Sequence, residues 1–584
     1  MMNTHYCYID YSKLNSSELE IESFKKCDEI RVKTIHADLY FGVSKSESLY
    51  LEESENYIIL SNGFFENKQD LLKLLDENSI EDILYKVLGI YSLIIYDKKN
   101  QLLYLTRDHF GLTHLFYYQE DEFVLFSNRL KTFKKCSSFK KELDYDTLGQ
   151  YLQYSYIFQP RTMFKNTLKV KSANYIKIDL ETKKIDSKKY WCCYDESNKK
   201  AKLNEEFIIK KSETLLKKSV EKGISNSKDI GSFLSGGYDS SALCAIISNT
   251  KVELNSYTMG FEDKSLDEAP EAKKIADYLD TKHHQYYFNS KILEKYLNDF
   301  AKVYDEPIAD MAVIPTMLLC DEASKKVDTI FGGEGGDEVF ASSSFIKRVN
   351  QLNSISYPVR LMLSKFFKPF SKNVKYEKLS KMMAEKNIEY TWKYQDMTLS
   401  SSDIKKLINS PIKEIEMDFE DLKLDKFEDS IDRVFLLMFK SYVTDDLVVK
   451  LSYAAQNYNL KARLPFLDRE FVEFLTKVDL KTKRKNSKNK YILRKIIKNY
   501  LPIELFDRPK KGFATPAAKM LKNDSKEFLD KIINEDKIKK EGIFDSNEVM
   551  KLKKRFLNSN SHYDSQNIWN ILIFELWYEE WFSK

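Results

Sequence analysis

The chain has 584 residues, 43% of them hydrophobic and 31% charged, which is too long for a single hydrophobic core and too apolar for extensive disorder. Lys and Arg number 93 against 89 for Asp and Glu, so the net charge of +4 gives no reason to invoke a polyanionic partner for the whole molecule. The seven cysteines, at 7, 27, 136, 192, 193, 244 and 320, form no C-x-x-C pair, which excludes a zinc ribbon or a disulfide framework and fits a reducing, cytoplasmic setting.

The chain begins MMNTHYCYID. A cysteine at a free N-terminus can use its own α-amine as a base, but Cys7 is not at the start and reads as a buried or half-buried strand residue. Short alternating segments follow, NYIILSNGFF, GIYSLIIYD, QLLYLTRD, EFVLFSN and ANYIKIDL, with a helix in NKQDLLKLLDE. They predict paired sheets in one α+β domain over residues 1–193. The polar stretch 194–206 is the expected linker.

From 207 to 584 the texture is strand, glycine turn, helix, repeated. DIGSFLSGGYDSSALCAIISN predicts strand, turn and helix; VELNSYTMGF a strand; DEAPEAKKIADYLD a helix; HHQYYF a strand; VIPTMLLCDEASKK a helix; and VDTIFGGEGGDEVF a strand entering a glycine loop. Such alternation makes a parallel sheet that binds ligands beyond the carboxyl ends of its strands. Beyond about 345 the patterns are mainly helical. The basic run KTKRKNSKNK at 481–490 predicts a solvated loop before a helix. No apolar run approaches the ~18 residues a bilayer span needs, so no membrane contact is expected. His283 and His284 read as strand residues without a third metal ligand at suitable spacing.

The chain holds only 16 glycines, and seven fall in two windows: Gly231, Gly236 and Gly237, then Gly332, Gly333, Gly335 and Gly336. That clustering predicts close approach of backbone to a ligand. In SGGYDSS the turn and helix start present N–H groups and a dipole suited to phosphate, although neither G-x-x-x-x-G-K-[ST] nor G-x-G-x-x-G occurs.

The S-G-G-x-D-S pattern resembles the pyrophosphate loop of ATP pyrophosphatases. With GGEGGDEVFA, SYTMGFED, YDEPIADMAVIPTMLL, DDLVVK, KARLPFLDREFVEF, KYILRKIIKNYLP and RPKKGFATP, the chain resembles the asparagine synthetase family of amide-forming ligases. The resemblance implies an α/β ATP-pyrophosphatase domain with a helical C-terminal part, using ATP and Mg²⁺ to make an acyl-adenylate, release pyrophosphate and let an amine displace AMP. Ser235, Gly236, Gly237, Ser240, Ser241 and Gly333 would then hold ATP or pyrophosphate. Met259 and Gly260 would line the adenine pocket, and Asp239 and Asp337 would bind Mg²⁺. Glu334 would act as base or orient the amine, and Lys510 would face the developing negative charge.

The N-terminal half resembles the family's class II glutamine amidotransferase domain, an N-terminal nucleophile sandwich, through SNGFF, YSLIIYD and TRDHFGLTHLFYY. Family glutaminases begin Met-Cys-Gly. This chain does not, and HADLYFGVS carries no arginine where the family grips the glutamine carboxylate. Only Asn62 and Gly63, the oxyanion-side pair, remain, so glutamine hydrolysis is not expected. Family branches that cyclise a substrate, such as lasso-peptide cyclases and β-lactam synthetases, also lack the cysteine. Ser452, Tyr453 and Lys461 depart from family residues expected beside the substrate cavity, which turns the expectation toward intramolecular cyclisation of a peptide over ammonia-dependent amidation of aspartate. Partners are then a small-molecule or peptide carboxylate and, for the cyclising branch, a precursor peptide and its processing protease, with nucleic acid not expected. A tRNA-modifying adenylase built on the same loop lacks support from a C-x-x-C pair or a basic face, and a non-catalytic scaffold would not need Asp239, Glu334, Asp337 and Lys510 together.

Overall fold

A computed structural model of the chain describes residues 4–12, 28–44, 49–66, 68–194, 203–225, 227–342, 345–414, 422, 424, 429–485, 489–508 and 515–582. It divides into two compact units, Met1–Thr147 with Ile157–Cys192, and Leu148–Tyr156 with Cys193–Lys584. The second unit takes in the stretch 148–156, which a boundary at 193 assigns to the first.

In the first unit β1 (His5–Asp10), β2 (Asp28–Lys33), β3 (Asp38–Val43), β4 (Leu49–Glu53), β5 (Tyr57–Phe65), β6 (Gly89–Asp97), β7 (Leu102–Arg107), β8 (Phe116–Gln119), β9 (Phe123–Ser127), β10 (Thr167–Lys169), β11 (Asn174–Asp179) and β12 (Ile185–Lys189) form two antiparallel six-stranded sheets. Their orders are β10-β8-β9-β1-β3-β2 and β12-β11-β7-β6-β5-β4. Period-2 alternation sends Ile58 and Leu60 of β5, with Ile94 and Tyr96 of β6, into a core shared with Cys7, Phe41 and Phe126. The intervening Ile59, Leu93 and Ile95 pack instead with Leu71 and Leu75 of α1 (Leu71–Glu77) and Ile83 of α2 (Ile80–Lys86). The second sheet is therefore buried on both faces, which is why its strands read as nearly continuous apolar runs.

In the second unit β13 (Ile230–Phe233), β14 (Leu254–Phe261), β15 (Lys282–Phe288), β16 (Thr329–Phe331) and β17 (Lys461–Arg463) form a parallel sheet ordered β15-β14-β13-β16-β17. The chain first builds outward from β13 to β15, then returns to the other side of β13 for β16. That reversal is a topological switch point, and both glycine windows leave strands that flank it. Helices α3 (Tyr145–Tyr154), α4 (Glu205–Ser225), α5 (Tyr238–Ser248), α6 (Ala269–Tyr278), α7 (Ser290–Val303) and α8 (Val313–Ser324) follow in chain order. The entry to α7 is fixed by Asn289, whose side chain accepts from the Ile292 N–H at 3.0 Å.

After β16 come α9 (Gly336–Val339), α10 (Phe345–Asn353) and a helical hairpin of α11 (Tyr357–Phe367), a tight turn Lys368–Phe370 and α12 (Val374–Ala384). The C-terminal helix His562–Phe582 is buried for much of its length and binds the stretch 148–156 within the same unit. Tyr151 Oη donates to Asn570 O at 2.8 Å, and Ser155 Oγ donates to Asn570 Oδ1 at 3.1 Å. Among the described residues no helix is long and apolar enough to cross a membrane.

Candidate active site

The loop after β13 is shaped by its own hydroxyls. The Ser235 N–H donates to Ser240 Oγ at 3.1 Å, the two serine oxygens lie 3.0 Å apart, and the Gly237 N–H donates to Ser235 Oγ at 3.3 Å. Gly236 has φ +74°, and a Cβ there would stand 2.6 Å from Arg508 Nη2. Arg508 Nη2 donates to Ser235 O at 3.4 Å and pairs with Glu268 at 3.5 Å, so a guanidinium borders the loop. The loop opens into α5, whose N-terminal N–H groups complete an anion-binding end.

Asp239, in the first turn of α5, meets the second glycine window directly. A Cβ on Gly336 would lie 2.4 Å from Asp239 Oδ1, and one on Gly333 would lie 3.2 Å from Asp239 Cβ. Gly332 and Gly335 similarly make room for Glu334 Oε2 at 2.1 Å and Leu467 Cδ2 at 2.5 Å. The space these glycines leave is taken up by Asp239, Glu334 and Leu467, and Gly333 also lines the cavity beside the loop. Gly237 differs, facing only the Ser235 hydroxyl.

The largest departure from the sequence reading is Lys490. The run 481–490 is not a solvated loop among its described residues: Leu480–Lys483 is helical, Lys483 is buried, and Lys490 is only 3% exposed. Lys490 has a left-handed backbone at φ +55°, which aims the chain into the helix Tyr491–Ile497. Its ammonium pairs with Asp239 and lies 2.8 Å from Asp337 Oδ1. Burial works against its charge, but the two carboxylates outweigh burial and raise its pKa. Two carboxylates that share one cation fit Mg²⁺, which nucleotide sites hold with one or two carboxylates plus phosphate oxygens.

Glu334 and Lys450 line the same cavity, which has a volume of about 300 Å³. Burial raises the Glu334 pKa, with Lys450 opposing and Asp239 reinforcing the shift, and its Oε2 has no hydrogen-bond partner among the described residues. Lys450 pairs with Asp310 at 2.5 Å. Burial disfavours its charge, yet Asp310 and Asp446 hold the ammonium well above its usual range. Asp446 sits in a π-helical segment, Phe439–Leu447, where burial and the adjacent Asp310 push its carboxyl up. Such bulges re-aim side chains and recur at functional sites. Tyr304 Oη fixes the backbone beyond it by donating to Lys450 O at 2.7 Å.

The structure thus gathers Ser235, Gly236, Gly237, Asp239, Ser240, Met259, Gly333 and Glu334 around one cavity. Asp337 joins them through Lys490. Ser241 is fully buried and does not line the cavity, because it lies one helical step from Ser240. Gly260 is likewise outside the lining, packed where a Cβ would meet Tyr287 at 2.7 Å. Lys510 lies outside the described residues. Lys450, Lys490 and Arg508 were missed as site residues, although VVK, KYILR and RPK each belong to the quoted family stretches.

The three departures from the family pattern are not cavity residues. Lys461 enters β17 at the amino end of the sheet, away from the strands' carboxyl ends, and pairs with Asp328 at 3.1 Å. Ser452 lies about 200° round its helix from Lys450 and donates to Val449 O at 3.2 Å. Tyr453 is buried with its ring 5.6 Å from Tyr304. His283 and His284 lie on β15, within 2.8 Å of Ser256 Oγ and 2.9 Å of Asn255 Oδ1, and no cluster of three potential metal ligands occurs among the described residues.

In the first unit Cys7 is fully buried in β1, opposite Phe41 and Phe126, and burial raises its thiol pKa. Asn62 is buried on β5. Gly63 has φ +113°, with a Cβ position 2.1 Å from Ile90 O, so only glycine fits there.

Two family models match the chain: Asparagine synthase over residues 211–579 and Glutamine amidotransferase domain over residues 62–191. Asparagine synthetase (glutamine-hydrolyzing) 1 of Bacillus subtilis (strain 168) is 25% identical over 519 residues, 85% of this chain and 78% of that protein. A putative asparagine synthetase (glutamine-hydrolyzing) 2 of Methanocaldococcus jannaschii is 31% identical over 256 residues, 43% of this chain and 49% of its own length. A putative asparagine synthetase (glutamine-hydrolyzing) of Mycobacterium bovis is 23% identical over 514 residues, 85% of this chain and 77% of that protein.

Proposed function

The chain belongs to the asparagine synthase family and is an ATP-dependent ligase of it, and on that premise we propose that it joins a carboxylic acid to an amine through an acyl-adenylate. The observation that carries this reading is the Asp239–Lys490–Asp337 array at the end of the Ser235–Ser240 loop, with Glu334 and Lys450 in the same cavity.

In the first step a carboxylate oxygen attacks the α-phosphorus of ATP, and the bond to the bridging oxygen breaks as pyrophosphate leaves. The loop N–H groups and the α5 N-terminus receive the pyrophosphate, and Lys490 and Arg508 offset its charge. Asp239 and Asp337 would hold Mg²⁺, which supplies charge neutralisation at the phosphates. In the second step an amine nitrogen attacks the acyl carbon, the bond to AMP breaks, and the amide remains. Glu334, which burial makes a stronger base by raising its pKa, takes as the carboxylate the proton the amine loses. Met259 and Phe261 offer an apolar wall for the adenine ring.

The amine is not drawn from glutamine on this reading, because Cys7 is buried within a strand and the 36–44 segment offers no arginine. The names of the relatives make aspartate with ammonia the first pair to test. Cyclisation of a peptide by its own amine now rests on the lost glutaminase signature alone, since Ser452, Tyr453 and Lys461 do not line the cavity.

One experiment tests the reading: incubate the protein with ATP, Mg²⁺, ammonium and ¹⁸O-labelled aspartate, and in parallel with glutamine or a candidate peptide. AMP carrying one ¹⁸O is expected from the productive acid. ADP with phosphate in place of AMP would sink the adenylate, and glutamate released from glutamine would sink the lost glutaminase.

A further inference from the structure

The α11–α12 hairpin presents a surface that the ligase chemistry does not use. On α11, Val359, Met362 and Phe366 recur at helical spacing on one face and are 44%, 64% and 66% exposed. Phe370 in the turn and Tyr376 on α12 extend the patch at 54% and 39% exposure. The rings touch one another: Phe366 and Phe370 are 6.4 Å apart, Phe370 and Tyr376 5.8 Å, Phe367 and Tyr376 6.2 Å. Single exposed apolar residues are ordinary on a protein surface, but a contiguous aromatic cluster marks a binding face.

Three polar contacts mark the hairpin's inner side. Ser380 Oγ donates to Ser364 O at 3.0 Å, the buried Arg360 donates to Glu385 O at 2.7 Å, and Lys381 pairs with Glu377 at 3.1 Å. The apolar stripe therefore faces outward, the reverse of a helix seated on a core. Its charge is equally one-sided. Residues 356–376 contain no Asp or Glu, while Lys365, Lys368, Lys372 and Lys375 are all exposed and none forms an ion pair among the described residues.

We propose that this hairpin is an interfacial anchor that lies on an anionic lipid surface. Met362, Phe366 and Phe370 enter the boundary between headgroups and acyl chains, and the four lysines meet the anionic headgroups. A purely apolar protein groove explains the aromatic rings but not a lysine rim without a single acid. The sequence predicts no membrane contact at all, because no run could span a bilayer; the hairpin departs from that expectation, since an anchor lying in the interface needs no spanning run.

The test uses the full chain in flotation with vesicles of phosphatidylcholine alone or with about 30 mol% phosphatidylglycerol. The protein is expected to float with the anionic vesicles only, and high salt releases it. K365Q/K368Q/K372Q lowers the partition on the order of a hundredfold, and F366S/F370S abolishes it, each with unchanged circular dichroism. Failure of the wild type to bind anionic vesicles overturns the proposal, as does unchanged binding by F366S/F370S. A concentration-dependent dimer of the wild type that F366S/F370S dissolves, without vesicle binding, assigns the face to a second copy and overturns it equally.

Discussion

Lys490 Nζ lies 2.8 Å from Asp337 Oδ1 while also pairing with Asp239, so one buried ammonium joins the first turns of two separate helices. Replacing it by methionine leaves two carboxylates facing each other. Lys490→Met is expected to lose about 2 kcal/mol in urea unfolding, less than a fully buried pair because Asp337 is partly exposed. Added Mg²⁺ should return part of that loss. An unchanged urea midpoint without metal would count against the ammonium as the element that joins them.

Lys450 and Asp310 form a second ion pair, beside Asp446. Lys450→Met strands two acidic groups and is expected to cost about 3 kcal/mol, of which Asp310→Asn in the same chain restores at least half. A double-mutant cycle measured by urea unfolding checks this. Additive losses would show the pair to be uncoupled.

Gly336 tests what the second glycine window is for. Its backbone is not left-handed, so Gly336→Ala acts only through the 2.4 Å approach to Asp239 Oδ1. Moving that carboxylate should cost about 1 to 2 kcal/mol in stability and raise the KM for ATP with little change in kcat. Wild-type behaviour would mean that the glycine answers to something other than Asp239.

Asp396 and Lys378 give opposite pH slopes. Burial raises the Asp396 carboxyl to about 6, with Lys378 and Arg348 opposing, so between about pH 4 and 6 the folded chain holds a proton that the unfolded chain has lost. Stability falls as pH rises through that window, by at most about 3 kcal/mol, and Asp396→Asn removes the fall. Burial lowers the Lys378 ammonium to about 8, despite Asp396, so stability rises from pH 8 toward 10.5 and Lys378→Met removes the rise. Urea midpoints across a pH series read both slopes.

Cys7 should be inert. Its thiol is fully buried and shifted upward by burial, so iodoacetamide leaves it unlabelled in the native protein, and Cys7→Ser forms amide at the wild-type rate. Loss of amide formation on that change, with the fold intact, would restore a chemical role to the cysteine.

The parts of this protein legible in its sequence are those governed by local rules. Strand alternation marked the paired sheets of the first unit, and the strand-turn-helix rhythm located the parallel sheet and both loops after β13 and β16. Lys490 escaped because a lysine inside a basic run has the composition of a solvated surface; only the folded chain brings Asp239 and Asp337 to it across a large gap in sequence. Lys461 was misjudged for a related reason. A motif fixes which strand a residue is on, but the direction of that strand decides which end of the sheet it occupies. The α11 stripe reads from sequence like any amphipathic helix, since periodicity marks an apolar face without saying whether a core lies behind it.

The stretch 148–156 also sets an order of events during synthesis. Its partner Asn570 is separated from Tyr151 by 419 residues, so at ribosomal speeds of about 5–20 residues per second the stretch leaves the ribosome roughly 20 to 80 s before its partner. Residues on both sides of it can settle into their own sheets meanwhile, leaving Tyr151, Leu152 and Tyr154 as an unsatisfied apolar segment. That waiting interval is when a chaperone would find this protein, and a nascent chain cut short of 570 should be held by one.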